Sequence, residues 1–143
     1  MAVYLLLKAK KTKIFCDMDG VLCDFIGGIK NLVGNNYKGK ITQDIWNKII
    51  NEDGFWKNLK WEDGGKKIWN TIKDNNPIIL TSPAGDIKKC KKDKKKWIRK
   101  NLGKNVIVKF EKNKGKYASP SRILIDDRKN NISSWEKKGK KIE

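Results

Sequence analysis

The sequence has no histidine, only three cysteines and three prolines, and few acids: 16 Asp and Glu against 34 Lys and Arg. Without histidine, every Ser-His or Cys-His nucleophile pair is excluded, and so is every histidine-ligated zinc site. Acid–base chemistry must fall to Asp, Glu, Lys, Tyr or Cys. Cys16, Cys23 and Cys90 match no metal-ligand spacing and are odd in number. They read as thiols of a reducing, cytoplasmic compartment rather than as disulfide or zinc partners. No apolar run approaches the ~20 residues of a membrane-spanning helix. The opening stretch Met1–Lys8 is apolar but short, with no basic leader and no small-residue cleavage site. It leaves room for an extra N-terminal strand within residues 1–13 rather than a secretion signal.

What is present is a chain of 143 residues, enough for one domain with a small insertion. Its apolar share of 38% suffices for a core. The formal charge of +18 points to phosphorylated substrates or to nucleic acid as partner. An excess of Lys with Asn and Ile is also what AT-rich codon usage produces. The lysines are densest from Lys88 to Lys104.

The stretch Ile14-Phe15-Cys16-Asp17-Met18-Asp19-Gly20 predicts a buried strand running into two carboxylates and a sharp turn. Two carboxylates this close repel unless a cation lies between them or one is protonated. An EF-hand loop is excluded: Val21, Leu22 and Gly28 stand where a ligand, the glycine and the bidentate glutamate belong. From Phe25 to Val33, from Ile45 to Ile50 behind the N-cap Thr42, and around Ile68-Trp69-Ile72, apolar residues recur at helical spacing. Ile78-Ile79-Leu80 predicts a second strand, ending in Thr81 and Ser82. Asp86 to Leu102 predicts a basic helix with Trp97, Ile98 and Leu102 inward, stopped by Gly103. Val106-Ile107-Val108 predicts a third strand, and Arg122 to Ile125 a fourth, ending in Asp126 and Asp127. A last helix carries Ile132 and Trp135. Strands alternating with helices imply an α/β fold: a Rossmann-like parallel sheet core. Residues 1–24 and 71–143 form that core, and residues 25–70 a helical insertion.

Parallel strands bring Asp17, Asp19, Thr81, Ser82, Asp126 and Asp127 to one edge of the sheet. Carboxylates from two strands could hold Mg²⁺, which prefers oxygen ligands, and hydroxyls could meet phosphate oxygens. With these motifs in this order the chain resembles the haloacid dehalogenase superfamily of phosphatases. Asp17-Met18-Asp19-Gly20-Val21 matches its first motif, Thr81 its second and Asp126-Asp127 its fourth. Gly54-Phe55-Trp56 and Leu80-Thr81-Ser82-Pro83 make it similar to the small 5′(3′)-deoxyribonucleotidases, over roughly Ile14 to Trp135.

The resemblance implies a Mg²⁺-dependent phosphomonoesterase acting on nucleoside monophosphates, with residues 25–70 as a cap. It implies Asp17 as nucleophile and Asp19 as acid and base. Mg²⁺ would lie on Asp17, Asp19 (through its backbone carbonyl), Asp126 and Asp127. Thr81 and Ser82 would bind phosphate, together with Lys116 by its spacing; Lys114 is the next candidate, and Lys94 matches another lysine of the family. Phe55 and Trp56 would line a base pocket or pack as cap core. A phosphatase of nucleic-acid ends or of another phosphometabolite, and a non-catalytic nucleic-acid-binding module, are the competing expectations. The reading admits a homodimer and expects no membrane partner.

Overall fold

The computed structural model describes residues 12–139. The expected extra N-terminal strand falls almost wholly on residues outside these. Four strands form one sheet: β1 (Lys13–Cys16), β2 (Ile78–Thr81), β3 (Val108–Phe110) and β4 (Arg122–Ile125). Their order is β3-β2-β1-β4 and every pairing is parallel. This is the α/β, Rossmann-like arrangement expected from the alternation of strands and helices.

Residues of β1 and β2 are buried on both faces, as parallel strands covered on two sides must be. Ile14, Cys16 and Ile79 face one core with Cys90, Trp97 and Ile98. Phe15, Ile78 and Leu80 face the other with Trp135, whose ring lies 5.4 Å from that of Phe15. Trp135 belongs to the last helix and Trp97 to the basic one, so each helix clamps one face of the sheet.

Three helices lie between β1 and β2 in sequence: α1 (Phe25–Val33), α2 (Gln43–Asn51) and α3 (Gly65–Ile72). Asp24 caps α1 by accepting from the Gly27 N–H at 2.9 Å, and Thr42 caps α2 by accepting from the Ile45 N–H at 3.3 Å. Entry and exit of this segment are tied together. Asp24 N–H donates to Lys60 O, and Glu62 N–H donates to Leu22 O, both at 2.8 Å. A Cβ at Gly65 would sit 3.0 Å from Leu22 O, so only glycine lets the returning chain pass so close. The basic helix α4 (Ile87–Asn101) is capped by Asp86, and its Trp97 indole donates to Leu59 O at 2.8 Å. That bond fixes the end of the inserted segment against the sheet's own helix. The final helix is α5 (Lys129–Gly139).

The third strand lies two residues later than the sequence suggested. Val106 to Val108 is the most apolar stretch there, but Ile107 is more than half exposed and β3 is only partly covered. An edge strand lacks the two-sided burial that makes an apolar run diagnostic. The shift places Glu111, rather than Lys109, at the strand's end, where its N–H donates to Thr81 O at 3.0 Å.

Candidate active site

The strand order reverses at β1: β2 lies on one side and β4, reached last, on the other. Such a switch point opens a crevice at the carboxyl ends of the strands. The register puts Cys16 level with Ile125 and Ile79, so Asp17, Asp126 and Leu80-Thr81 come out together. Asp17 N–H still donates to Ile125 O at 2.9 Å, which holds its side chain at the last ordered rung. Beyond it, Met18 O accepts from the N–H groups of Val21, Leu22 and Cys23, closing a tight turn over the strand end. Gly20 has φ +83°, and a Cβ there would lie 2.7 Å from the Asp127 carboxyl carbon. The glycine therefore makes the turn and lets Asp127 approach it.

Two buried lysines divide the site. Lys114, from a 3₁₀ turn at Lys114–Tyr117, is 2% exposed and contacts Asp17 Oδ1 at 2.8 Å and Asp126 Oδ2 at 2.7 Å. Asp126 also accepts from Asn131 Nδ2 at 3.0 Å and from the Arg128 N–H at 2.9 Å. Lys94, from α4, is 1% exposed. Its Nζ donates to Thr81 Oγ1 at 2.7 Å and Ser82 O at 2.9 Å, and lies 3.1 Å from Asp19 Oδ2. Two protons of the ammonium are thus hydrogen-bonded, and its charge is paired with Asp19.

The structure sets Lys116 and Lys114 apart. The Lys116 side chain is 60% exposed and faces Glu111 at 3.4 Å, whereas Lys114 occupies the position against the carboxylates. The 3₁₀ turn is the reason: residues two apart in it point in different directions, and Lys114 is the one turned inward.

Oxygens of Asp17, Asp126 and Asp127 lie within 4.8 Å of one another. All are hard carboxylate donors, gathered against a single buried cation, Lys114. This donor set fits a divalent cation of the Mg²⁺ type. Burial pushes the Asp17 carboxyl up to about 7; Lys114 pulls it down and the Asp126 charge pushes it up again. Burial also raises Asp127, while neighbouring carboxylates raise Lys114 against the opposing effect of its own burial. The Asp19 side chain stands apart from this cluster, on Lys94.

Of the remaining expected residues, Thr81 is buried with its hydroxyl on Lys94. The Ser82 hydroxyl donates to Glu111 O at 3.3 Å and its carbonyl takes Lys94. Phe55 and Trp56 are both buried, packed with Phe25 in a three-ring cluster. Trp56 nevertheless reaches the site, its indole Nε1 donating to Asp19 Oδ2 at 3.3 Å. The three thiols are buried and unpaired with one another, as expected. Asn131 and Glu111 were not anticipated. Asn131 has a sequence signal, five residues past Asp126 at the start of a helix; Glu111 has none, because the apolar pattern ends three residues before it. A cleft of about 500 Å³ is lined by Lys13, Trp69, Pro77, Leu102 and Ile107. It lies at the opposite ends of the strands and shares no residue with this site. No helix among the described residues is long and apolar enough to cross a membrane.

No family model matches the chain. It is 28% identical over 131 residues to a Vibrio phage protein named as a putative 5′(3′)-deoxyribonucleotidase, covering 87% of this chain and 72% of that one. It is 22% identical over 158 residues to the cytosolic 5′(3′)-deoxyribonucleotidase of Homo sapiens, covering 90% and 79%. It is 21% identical over 149 residues to the mitochondrial 5′(3′)-deoxyribonucleotidase of Mus musculus, covering 84% and 66%. The resemblance to 5′(3′)-deoxyribonucleotidases therefore runs along most of the chain.

Proposed function

We propose that this protein is a Mg²⁺-dependent phosphomonoesterase that hydrolyses (deoxy)nucleoside monophosphates. The observation that carries the reading is the meeting, at one switch point, of Asp17 on Lys114 with Asp126 and Asp127, beside Asp19 on Lys94 and Thr81. The similarity to nucleotidases named above supports the substrate class.

Asp17 is the nucleophile. Its carboxylate oxygen forms a bond to phosphorus as the ester P–O bond breaks, giving an aspartyl-phosphate, and Asp19 delivers a proton to the departing nucleoside oxygen. Water then attacks phosphorus, its proton passes to Asp19, and the aspartyl P–O bond breaks to release phosphate. Splitting the displacement in two is the gain of a covalent route. Lys114 holds Asp17 in place and neutralises charge where the phosphoryl group enters. Lys94 arranges Thr81, Ser82 and Asp19 so that phosphate oxygens meet fixed donors. Asp17, Asp126 and Asp127, with the backbone carbonyl of Asp19, would hold Mg²⁺, which supplies positive charge for an anionic nucleophile meeting an anionic ester. Residues 25–70 serve as a cap over the nucleoside, with Phe55 and Trp56 packed in its core.

The test is phosphate release from a panel of nucleoside monophosphates and sugar phosphates, with Mg²⁺ and with chelator. Nucleotides are expected to be preferred, and chelator or Asp17→Asn to abolish turnover with the fold intact, because an amide does not attack phosphorus. Near-normal rates in Asp17→Asn would overturn the mechanism.

A further inference from the structure

We infer that Trp56 is a positioning residue that acts through Asp19: its indole N–H fixes which oxygen of that carboxylate meets the leaving group. The inference rests on Asp19 acting as proposed above. Asp19 Oδ2 accepts a hydrogen bond from Trp56 Nε1 at 3.3 Å and is ion-paired with the Lys94 ammonium at 3.1 Å. A carboxylate oxygen has two lone pairs, so with the indole on one of them Oδ2 keeps a site for a further partner. The other oxygen, Oδ1, is buried and has no hydrogen-bond partner among the described residues. A buried carboxylate oxygen left without a partner is costly, so the group is held in this rotation by what grips its other oxygen. The Asp19 side chain is 24% exposed while its Oδ1 is sealed, so the arrangement leaves Oδ2 as the oxygen that faces the ester.

Lys94 alone would not set this orientation firmly. Its ammonium sits on a flexible stem, and two of its protons go to Thr81 and Ser82. The indole N–H is a single donor on a rigid ring. That ring is 3% exposed and held by Phe25 at 6.4 Å, Phe55 at 5.1 Å and the Lys94 ammonium at 5.7 Å. A ring so covered offers no free face to a base, so its polar edge is the part that works. Because Trp56 lies between α2 and α3 and Asp19 just after β1, the contact ties the seating of the inserted segment to the carboxylate's rotation.

The experiment compares Trp56→Phe, which keeps a ring and removes the N–H, on two substrates. A nucleoside monophosphate loses a poor leaving group that needs a proton; p-nitrophenyl phosphate loses a good one that does not. For the nucleotide, kcat/KM is expected to fall about tenfold through kcat, the scale of one hydrogen bond to a charged group, with KM within about twofold. For p-nitrophenyl phosphate a fall of only about twofold is expected. Equal losses on both substrates, or a nucleotide-specific rise in KM with kcat unchanged, would overturn the inference; the latter would make Trp56 a base platform. If Trp56→Phe does not fold, 3-benzothienylalanine at position 56 keeps the indole shape without the N–H and is held to the same outcomes. Asp19→Asn run alongside separates the two levels. If it retains nucleotide turnover, the role of Asp19 falls and the inference with it. If it is inactive while the Trp56 variants show no leaving-group dependence, the inference alone falls.

Discussion

Replacing Lys114 by methionine removes one ammonium from between two carboxylates, and the consequence can be worked from the contacts. Lys114 is 2% exposed and lies 2.8 Å from Asp17 Oδ1 and 2.7 Å from Asp126 Oδ2, with the Asp126 side chain fully covered. Methionine fills much the same volume, so packing changes little; what is lost is charge. Breaking a buried pair by deleting one partner typically costs about 3–5 kcal/mol, because the survivor remains buried and uncompensated. Here two survivors remain. Against a total stability of about 5–15 kcal/mol for an ordinary domain, that is a large share. The cost depends on pH. Above about 7 the wild-type Asp17 is ionised on Lys114; without that ammonium its carboxyl is pushed higher still, and the variant must either take up a proton or bury a bare charge, a cost that grows with pH. At pH 5 burial already keeps Asp17 protonated, so removing Lys114 exposes less bare charge. Urea denaturation of Lys114→Met and wild type at pH 8 and pH 5, without metal, should show the larger loss at pH 8. Lys116→Met, at an exposed side chain, should unfold close to wild type at both. A Lys114→Met variant within about 1 kcal/mol of wild type at pH 8 would refute the reasoning, as would a greater loss in Lys116→Met.

The metal-free wild type should itself lose stability as pH rises from 4 to 7, by at most about 1.4 kcal/mol per pH unit for one proton. Folded Asp17 keeps a proton that the unfolded chain releases near 3.8, so the folded state binds more protons in this window. Added Mg²⁺ should flatten the fall, and calorimetry across the range checks both. Asp19→Asn should lose about 10²–10⁴-fold in nucleotide turnover, the usual worth of a positioned acid, measured by phosphate release. Lys88, Lys92, Lys95, Lys96, Arg99 and Lys100 on α4 are exposed, with no carboxylate within 4.0 Å among the described residues. If this face reflects composition alone, DNA binding in a gel shift should be weak and vanish near physiological salt; salt-resistant binding would point to a nucleic-acid substrate.

The sequence by itself determined the parallel α/β core. Ile14-Phe15-Cys16 and Ile78-Ile79-Leu80 are short apolar runs with no polar face, bounded by turn residues, as strands buried on both faces require, and the structure buries them so. It also determined that Asp17, Thr81 and Asp126 share an edge, because parallel strands align their ends. Thr42, Asp86 and Trp135 acted as local chemistry and helical period require. Three things were decided only by tertiary structure. Lys114 and Lys116 are two residues apart in a lysine-rich chain, and only the turn before β4 selects the inward one. The edge strand β3 is half covered, so its position depends on pairing with β2 rather than on its own pattern. Trp56 reads in sequence as an aromatic that packs or stacks. Its contact with Asp19 spans 37 positions of chain, and no local rule sets where an indole N–H points across that distance.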